Sequence, residues 1–384
     1  MVPATRRKLL RGLALAFCAT LVADQLVQWT LLRGGSFLGR RIAPYAPALF
    51  DDVQRSKLEA LRLRLDPPQA PGPELDFDAE LGWCRPPRDV QPPGQPPPQR
   101  TRVVAVGDSF VFGYEVEAQE CWLAALGRAR ADLELLDLGV ESYDLEQSLL
   151  RWRRDGVALA PRELWVGFVP SQVLRNVTSY IPAWRHWTPF PSFKPRAELA
   201  ADGALRHVPS PARSLREMVA LLDDPARFLE RLAPHDRWVG ACPAAYAPFG
   251  ASVLHLSAAT RLFLTLAERG GREPWIELEK PRSEVLELFS AQFRELHADG
   301  IRVRILVLPD RDDLSWLRTH GSGYWQSMCA RLEREGHELF DASSGLVAAG
   351  ADLDPLAWAQ GGHYSASGNA RVAQLLDAWL RAHP

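Results

Sequence analysis

The stretch RVVAVGDSFVFGY, residues 102–114, decides the fold. Four of the five residues before Gly107 are apolar, and three of them are valine. This composition predicts a short buried strand, because the run is too brief for a helix and ends at Gly-Asp-Ser. A serine that follows such a strand lies at the carboxyl edge of a sheet, where a helix begins. Ligands of open α/β sheets bind at that edge.

Two interpretations of Ser109 follow from this position. In the first, the hydroxyl is exposed at the sheet edge and the N–H of Ser109, at the start of a helix, points toward an anion that forms there. In the second, Asp108 and Ser109 are only a helix N-cap, since both residue types are favoured in that position. The strand–turn–helix pattern alone favours the capping interpretation.

Strands and helices alternate along the rest of the chain. The pattern predicts further strands at residues 133–138, 163–169, 301–308 and 338–341, and helices at residues 122–130, 145–155, 285–298, 324–335 and 370–382. Such alternation is typical of a parallel sheet that is covered by helices on both faces.

The sequence resembles the SGNH (GDSL-type) hydrolase family in two places. Gly-Asp-Ser-Phe at 107–110, followed by Phe-Gly at 112–113, resembles the first block of that family. GGHYSASGN at 361–369 resembles its final block. The resemblance implies a flavodoxin-like three-layer α/β/α fold with a mostly parallel five-stranded sheet. It also implies that Ser109 is the nucleophile, that His363 is its base, and that no cofactor is needed.

The resemblance also implies three donors for an oxyanion hole. They are the N–H of Ser109, the N–H of Gly139 in the second block, and a donor in the third block. The third block of the family offers an asparagine, and Ser171 stands in that place here. Either the hydroxyl of Ser171 replaces the amide or Asn176 reaches back. Loss of one such donor costs on the order of 10²–10³ in rate.

The group that orients His363 also departs from the family pattern. The family has an aspartate three residues before the histidine, and this chain has Gln360. A glutamine orients imidazole through its carbonyl oxygen but brings no charge. Asp352 and Asp354 on the same segment are alternatives, and many family members use a Ser-His dyad. With two blocks altered, a non-catalytic binding protein on this fold is a further alternative.

The composition divides the chain into parts. In residues 1–35 a basic cluster precedes an apolar run. This pattern predicts an uncleaved membrane anchor, with the rest of the chain exported to the periplasm or outside the cell. A cleaved signal peptide or a buried amphipathic helix are alternatives. Residues 36–100 predict a proline-rich stalk. Residues 101–384 form the hydrolase-like domain, and residues 176–280 are an insertion within it.

The insertion begins with an aromatic and proline-rich run at residues 180–193. An insertion at the carboxyl edge of the sheet is placed to cap a substrate site. The same aromatic residues are equally suited to form the insertion's own core.

Several other features limit the classes of function. The net charge of −2 gives no reason to expect a nucleic-acid partner. No metal-ligand spacing and no Gly-rich phosphate loop is present, and the oligomeric state is open. In an exported chain, Cys84, Cys121, Cys242 and Cys329 would form either two disulfides or four separate thiols.

The sequence thus predicts a serine hydrolase of the SGNH type. Its expected substrate is an ester-linked acyl group of an envelope or extracellular carbohydrate or lipid. A polysaccharide O-acyltransferase and a non-catalytic binding protein are the alternatives.

Overall fold

A computed structural model describes residues 12, 15–23, 36–37, 40–41, 52–65, 76–90, 100–184, 193–240, 274–280, 283–298 and 300–384. The strands, in chain order, are β1 (Asp76–Asp78), β2 (Gly82–Cys84), β3 (Thr101–Val106), β4 (Leu133–Asp137), β5 (Glu163–Phe168), β6 (Arg196–Leu199), β7 (Leu205–Val208), β8 (Arg302–Val307) and β9 (Glu338–Asp341). Two further two-residue strands, Ser36–Phe37 and Arg40–Arg41, pair with each other.

The α-helices are α1 (Asp52–Leu65), α2 (Ser109–Phe112), α3 (Trp122–Ala129), α4 (Leu145–Arg151), α5 (Leu215–Asp223), α6 (Pro225–Leu232), α7 (Arg237–Gly240), α8 (Pro274–Leu278), α9 (Glu284–Ala298), α10 (Arg311–His320), α11 (Gln326–Arg334), α12 (Ser343–Ala348) and α13 (Ala366–Ala382). Shorter 3-10 turns span Ala118–Glu120, Val157–Leu159, Pro170–Val177, Ile181–Ala183 and Pro355–Ala357, and a π-turn spans Trp152–Gly156.

A five-stranded parallel sheet forms the centre of the molecule. Its strand order is β4-β3-β5-β8-β9, and every pairing between neighbours is parallel. All six residues of β5, the middle strand, are buried. A strand that is buried on both faces needs helices on both sides, which explains why its sequence is apolar without strict alternation. The predicted fold class is confirmed.

The two faces of the sheet support separate apolar cores. Val104 and Val166 point into one core, which includes residues of α4, α9 and α11. Val103, Ala105 and Trp165 point into the other core, which includes residues of α3 and α13. Because neighbouring residues of a strand point to opposite faces, each strand contributes to both cores. The three-layer arrangement places the carboxyl ends of β3, β5 and β8 at one edge.

Part of the predicted stalk packs against the domain. Strands β1 and β2 form an antiparallel hairpin, and Trp83 in β2 is only 1% exposed. The indole N–H of Trp83 donates to the carbonyl of Glu141 at 2.9 Å, and the hydroxyl of Tyr143 donates to the carbonyl of Trp83 at 2.6 Å. Residues 76–90 therefore belong to the packed structure rather than to an extended spacer. The proline-rich residues 91–99 lie outside the described residues.

The described part of the insertion shares the core of the sheet. Tyr180, Phe193 and Phe228 are fully buried, and their rings contact one another. Lys194 is fully buried, and its Nζ lies 2.5 Å from Oδ2 of Asp144, the N-cap of α4. These contacts favour the interpretation in which the aromatic residues form a core. The middle of the aromatic run, residues 185–192, lies outside the described residues.

The N-terminal prediction falls largely outside the described residues. Residues 15–23 are helical. Within the described part of the chain, no helix has both the length and the apolar character needed to cross a membrane. The anchor remains a prediction.

The cysteines that the structure describes carry free thiols: Cys18, Cys84, Cys121 and Cys329. Burial raises the pKa of the Cys121 thiol to about 11, so this side chain is a neutral core residue. Cys242 lies outside the described residues. For the described cysteines, the structure favours the alternative of separate thiols.

Candidate active site

Ser109 is positioned by the tight turn that follows β3. Gly107 has φ +155°, and a Cβ there would lie 2.4 Å from the carbonyl oxygen of Gly167, so only glycine fits. Asp108 caps α2, because its Oδ1 accepts the backbone N–H of Phe110 at 2.9 Å. Ser109 is thus the first residue of α2 and is 8% exposed. The helix starts at the serine rather than being capped by it.

His363 lies directly against the nucleophile candidate. Its Nε2 is 2.9 Å from Oγ of Ser109, although the two residues are 254 positions apart in the chain. The imidazole is held by the rings of Phe110 and Tyr114, whose centroids lie 4.9 and 5.1 Å from its own. His363 occupies the loop just before α13, which Ser365 caps. The two residues singled out in the sequence are therefore in contact.

Glu115 completes the arrangement. Its Oε2 lies 2.7 Å from Nδ1 of His363, on the side of the ring opposite Ser109. The same carboxylate accepts the backbone N–H of Gly361 at 2.6 Å and that of His363 at 3.2 Å. Partial burial acts to raise the pKa of Glu115, but the hydrogen bonds from His363 and Gly361 outweigh it and lower the pKa below its usual range. The carboxylate is therefore ionised at neutral pH.

The predicted orienting residues are wrong. Gln360 is exposed. Asp354 accepts the backbone N–H of Leu356 at 2.9 Å and pairs with Arg371 at 2.7 Å, so it caps a turn. Asp352 pairs with Arg318.

Glu115 lies close to the nucleophile candidate in the sequence, but no motif marks it as the orienting group. This carboxylate follows Ser109 by six residues, in the turn that ends the first block. A Cβ at Gly361 would lie 2.5 Å from Oε1 of Glu115. Glycine at this position makes room for the carboxylate.

Two of the three predicted oxyanion donors are engaged with carboxylates. The N–H of Gly139 donates to Oδ1 of Asp137 at 2.8 Å. The hydroxyl of Ser171 donates to Oδ2 of Asp310 at 2.5 Å. Ser109 is the first residue of α2, where a backbone N–H has no acceptor within the helix. Of the three predicted donors, the start of a helix favours this N–H as the oxyanion donor.

Asn176, the alternative donor, lies in the 3-10 turn after β5, and its Nδ2 is buried without a hydrogen-bond partner among the described residues. Its Oδ1 accepts the backbone N–H of Leu145 at 3.1 Å, which ties the 3-10 turn after β5 to the start of α4. Asn176, Asp108 and Gln172 contribute polar groups to the lining of a small cavity of about 20 Å³. This volume is room for about one water molecule.

Asp137 is a buried carboxyl group next to the site. Burial raises its pKa to about 7, against the opposing effect of the Gly139 N–H. In the folded state the group therefore binds a proton more tightly than in the unfolded state, where its pKa is 3.8. Its contribution to stability is complete below the unfolded value and is lost as the pH rises from about 4 to about 7.

Asp137→Asn is expected to remove this pH dependence. The amide keeps an acceptor for the Gly139 N–H but does not ionise. Relative to the wild type, the variant should gain about 2–3 kcal/mol in free energy of unfolding between pH 5 and pH 8. Urea unfolding at the two pH values measures it. An equal difference between the proteins at both pH values would show that Asp137 does not titrate in this window.

No metal centre is evident among the described side chains, where no three His, Cys, Asp or Glu residues are grouped to hold an ion.

A serine, a histidine and a glutamate thus lie in contact at the carboxyl edge of the parallel sheet. No protein-family model matches the sequence, and no curated protein matches it. Solved structures similar to the chain include a member of the lipolytic protein G-D-S-L family from Veillonella parvula DSM 2008, with 10% identity, a TM-score of 0.34, and coverage of 73% of this chain and 98% of that one.

Two esterases are also among the similar structures. An acetyl xylan esterase, AlAXEase, has 10% identity and a TM-score of 0.37, with coverage of 72% of this chain and 98% of that one. A two-domain esterase active on acetylated mannans has 9% identity and a TM-score of 0.37, with coverage of 74% of this chain and 49% of that one.

Proposed function

We propose that the protein is an ester hydrolase that works through an acyl-enzyme on Ser109. The observation that carries the proposal is the line of contacts from Ser109 through His363 to Glu115, with distances of 2.9 and 2.7 Å. A nucleophile, a base within hydrogen-bond reach and a third group that orients the base define this chemistry.

The reaction follows from these contacts. Oγ of Ser109 attacks the ester carbonyl carbon while Nε2 of His363 takes the hydroxyl proton. The carboxylate of Glu115 accepts a hydrogen bond from Nδ1–H of His363. This contact fixes the tautomer of the histidine and stabilises the imidazolium that forms. The N–H of Ser109 stabilises the oxyanion. His363 then gives its proton to the leaving alkoxide, which departs as an alcohol. Water, deprotonated by His363, then attacks the acyl-enzyme carbonyl. The bond from the carbonyl carbon to Oγ breaks, His363 returns the proton to Oγ of Ser109, and the carboxylic acid leaves.

The substrate class is a further part of the proposal. We take it to be ester-linked acyl groups of an envelope or extracellular carbohydrate or lipid, with the chain exported and held at a membrane by residues 1–35. The support is the basic cluster and apolar run at the N-terminus. N-terminal sequencing of the protein from a membrane fraction tests the anchor, and a mature chain that starts near residue 24 would contradict it.

The direct test of the activity is covalent labelling. The purified chain is incubated with a fluorophosphonate or a p-nitrophenyl ester, and its intact mass is measured. One adduct per chain, located by peptide mapping on Ser109 and absent after Ser109→Ala, supports the proposal. A chain that neither hydrolyses esters nor forms the adduct contradicts it. Acyl transfer to a carbohydrate acceptor with little release to water would instead identify an O-acyltransferase.

A further inference from the structure

Glu115 adopts a backbone conformation that is unfavourable for its residue type. Its φ is +70°, in the left-handed region, where the Cβ of an L-residue comes too close to the following carbonyl oxygen. Gly113, two residues earlier, has φ +68°. Two of the three residues from 113 to 115 therefore adopt the left-handed backbone conformation. Such a conformation persists only where the surroundings hold it, and outliers of this kind cluster at functional sites.

The group that holds this turn comes from outside the hydrolase-like blocks. The guanidinium of Arg88 donates to the carbonyls of Phe112 at 2.5 Å and Gly113 at 2.7 Å, and also to the carbonyl of Val116. These three carbonyls lie on both sides of Glu115 in the chain. A planar guanidinium presents five N–H donors in a fixed geometry, so one side chain can fasten both ends of the turn.

Arg88 is itself fixed to the sheet. Its backbone N–H donates to the carbonyl of Asp137 at 3.2 Å, at the end of β4. Its guanidinium also lies over the ring of Phe112, 4.4 Å from the centroid. The side chain is partly buried. A rigid strand edge is thus connected through Arg88 to the turn that carries Glu115.

We propose that Arg88 is a positioning residue for catalysis, which holds the Glu115 carboxylate in line with Nδ1 of His363. The inference rests on the proposed function of the Ser109 site. On this proposal, the segment 76–90 contributes a positioning residue, Arg88, to the active site, although the segment precedes the first strand of the central sheet. Without Arg88, the turn is free to leave its left-handed conformation and the 2.7 Å contact to His363 is lost.

The test compares Arg88→Ala with a control arginine, Arg154, which lies in the turn Trp152–Gly156 and contacts the β1–β2 hairpin. Arg154 pairs with Asp78 of β1 at 2.7 Å and has no contact with the Glu115 turn, so Arg154→Ala reports the effect of weaker hairpin docking alone. Arg88→Ala is expected to lower kcat about 10- to 100-fold with little change in KM, because a displacement near 1 Å costs up to about 10²-fold. Arg154→Ala should stay within about twofold of the wild type.

A double-mutant cycle separates positioning from general damage. In a Glu115→Gln background, Arg88→Ala should lower kcat by less than about threefold, because both changes act through His363. Added guanidinium should restore part of the activity of Arg88→Ala. Effects that add fully in the double variant would overturn the proposal. If Arg88→Ala does not fold, Arg88→Lys is the second variant, because lysine keeps the charge but lacks the planar set of guanidinium donors. A wild-type kcat in Arg88→Lys would also overturn the proposal.

A spectroscopic readout keeps the inference independent of turnover. A proton shared between Nδ1 of His363 and a carboxylate gives a far-downfield imidazole N–H resonance, which Glu115→Gln should abolish. The same resonance should be lost in Arg88→Ala and kept in Arg154→Ala. Its retention in Arg88→Ala would refute the positioning role even in a chain with no esterase activity. Absence of ester hydrolysis in the wild type would refute only the proposed function.

Discussion

Ser109→Ala is expected to lower ester hydrolysis by about 10⁴-fold or more and to abolish labelling by a fluorophosphonate. Removal of Oγ removes the bond-forming atom, and the remaining site can only bind substrate and stabilise an oxyanion. Because Asp108 is the N-cap of α2 and Ser109 is its first residue, the free energy of unfolding should change by less than about 1 kcal/mol. Steady-state kinetics, intact mass and urea unfolding of the same preparations measure the three effects.

Ser367→Ala is the matched control for this prediction. Its hydroxyl lies four residues from His363 and donates to the carbonyl of Leu356 at 2.7 Å, outside the line of contacts to Ser109. The control should keep wild-type activity. His363→Ala should lose nearly as much activity as Ser109→Ala, and the double variant should lose little more, since the two groups act as one unit. Hydrolysis that survives Ser109→Ala would place the nucleophile elsewhere.

Glu115→Gln is expected to lower kcat by about 10²- to 10⁴-fold. The amide is nearly the same size as the carboxylate but does not stabilise the imidazolium, and its NH₂ favours the wrong tautomer of the histidine. The low pKa of Glu115 keeps the carboxylate ionised over the neutral range, so the wild-type rate should not depend on its titration there. The pH–rate profiles of both proteins from pH 5 to 9 measure this.

Substitutions at position 360 are the control for Glu115→Gln. Gln360 is exposed, and Glu115 already occupies the orienting position, so Gln360→Ala should leave kcat unchanged and Gln360→Asp should bring no gain. A large gain from Gln360→Asp, or full activity in Glu115→Gln, would show that His363 works without the contact seen in the structure.

The fold, the nucleophile candidate Ser109 and its base His363 could be predicted from local sequence, whereas the orienting group Glu115 could not. A run of valines that ends at Gly107 dictates a buried strand, and a serine in the next turn can lie only at the sheet edge. The orienting group was missed because its position depends on a turn with two left-handed residues. Local patterns do not reveal that a residue such as Glu115, which rarely enters that conformation, does so here.

The other misses share a physical cause. Ser171 stands at the position of an oxyanion donor, but its hydroxyl donates to Asp310, the N-cap of α10. The hairpin at residues 76–84 lies within a segment whose prolines predict an extended chain. It packs against the domain because the buried indole N–H of Trp83 donates to the carbonyl of Glu141, in the loop after β4. Both outcomes depend on contacts between segments that are far apart in sequence.

The place that Gly361 leaves for the Glu115 carboxylate has an evolutionary consequence. A Cβ at position 361 would lie 2.5 Å from a carboxylate oxygen of Glu115, so a larger residue there would push this carboxylate away from His363. Among descendants that keep this catalytic arrangement, positions 115, 361 and 363 should covary as a group, while position 360 drifts. A lineage that placed an orienting acid at position 360 would release both Glu115 and Gly361 from this constraint. Substitution at that pair, rather than at Gln360, would then mark the change of mechanism.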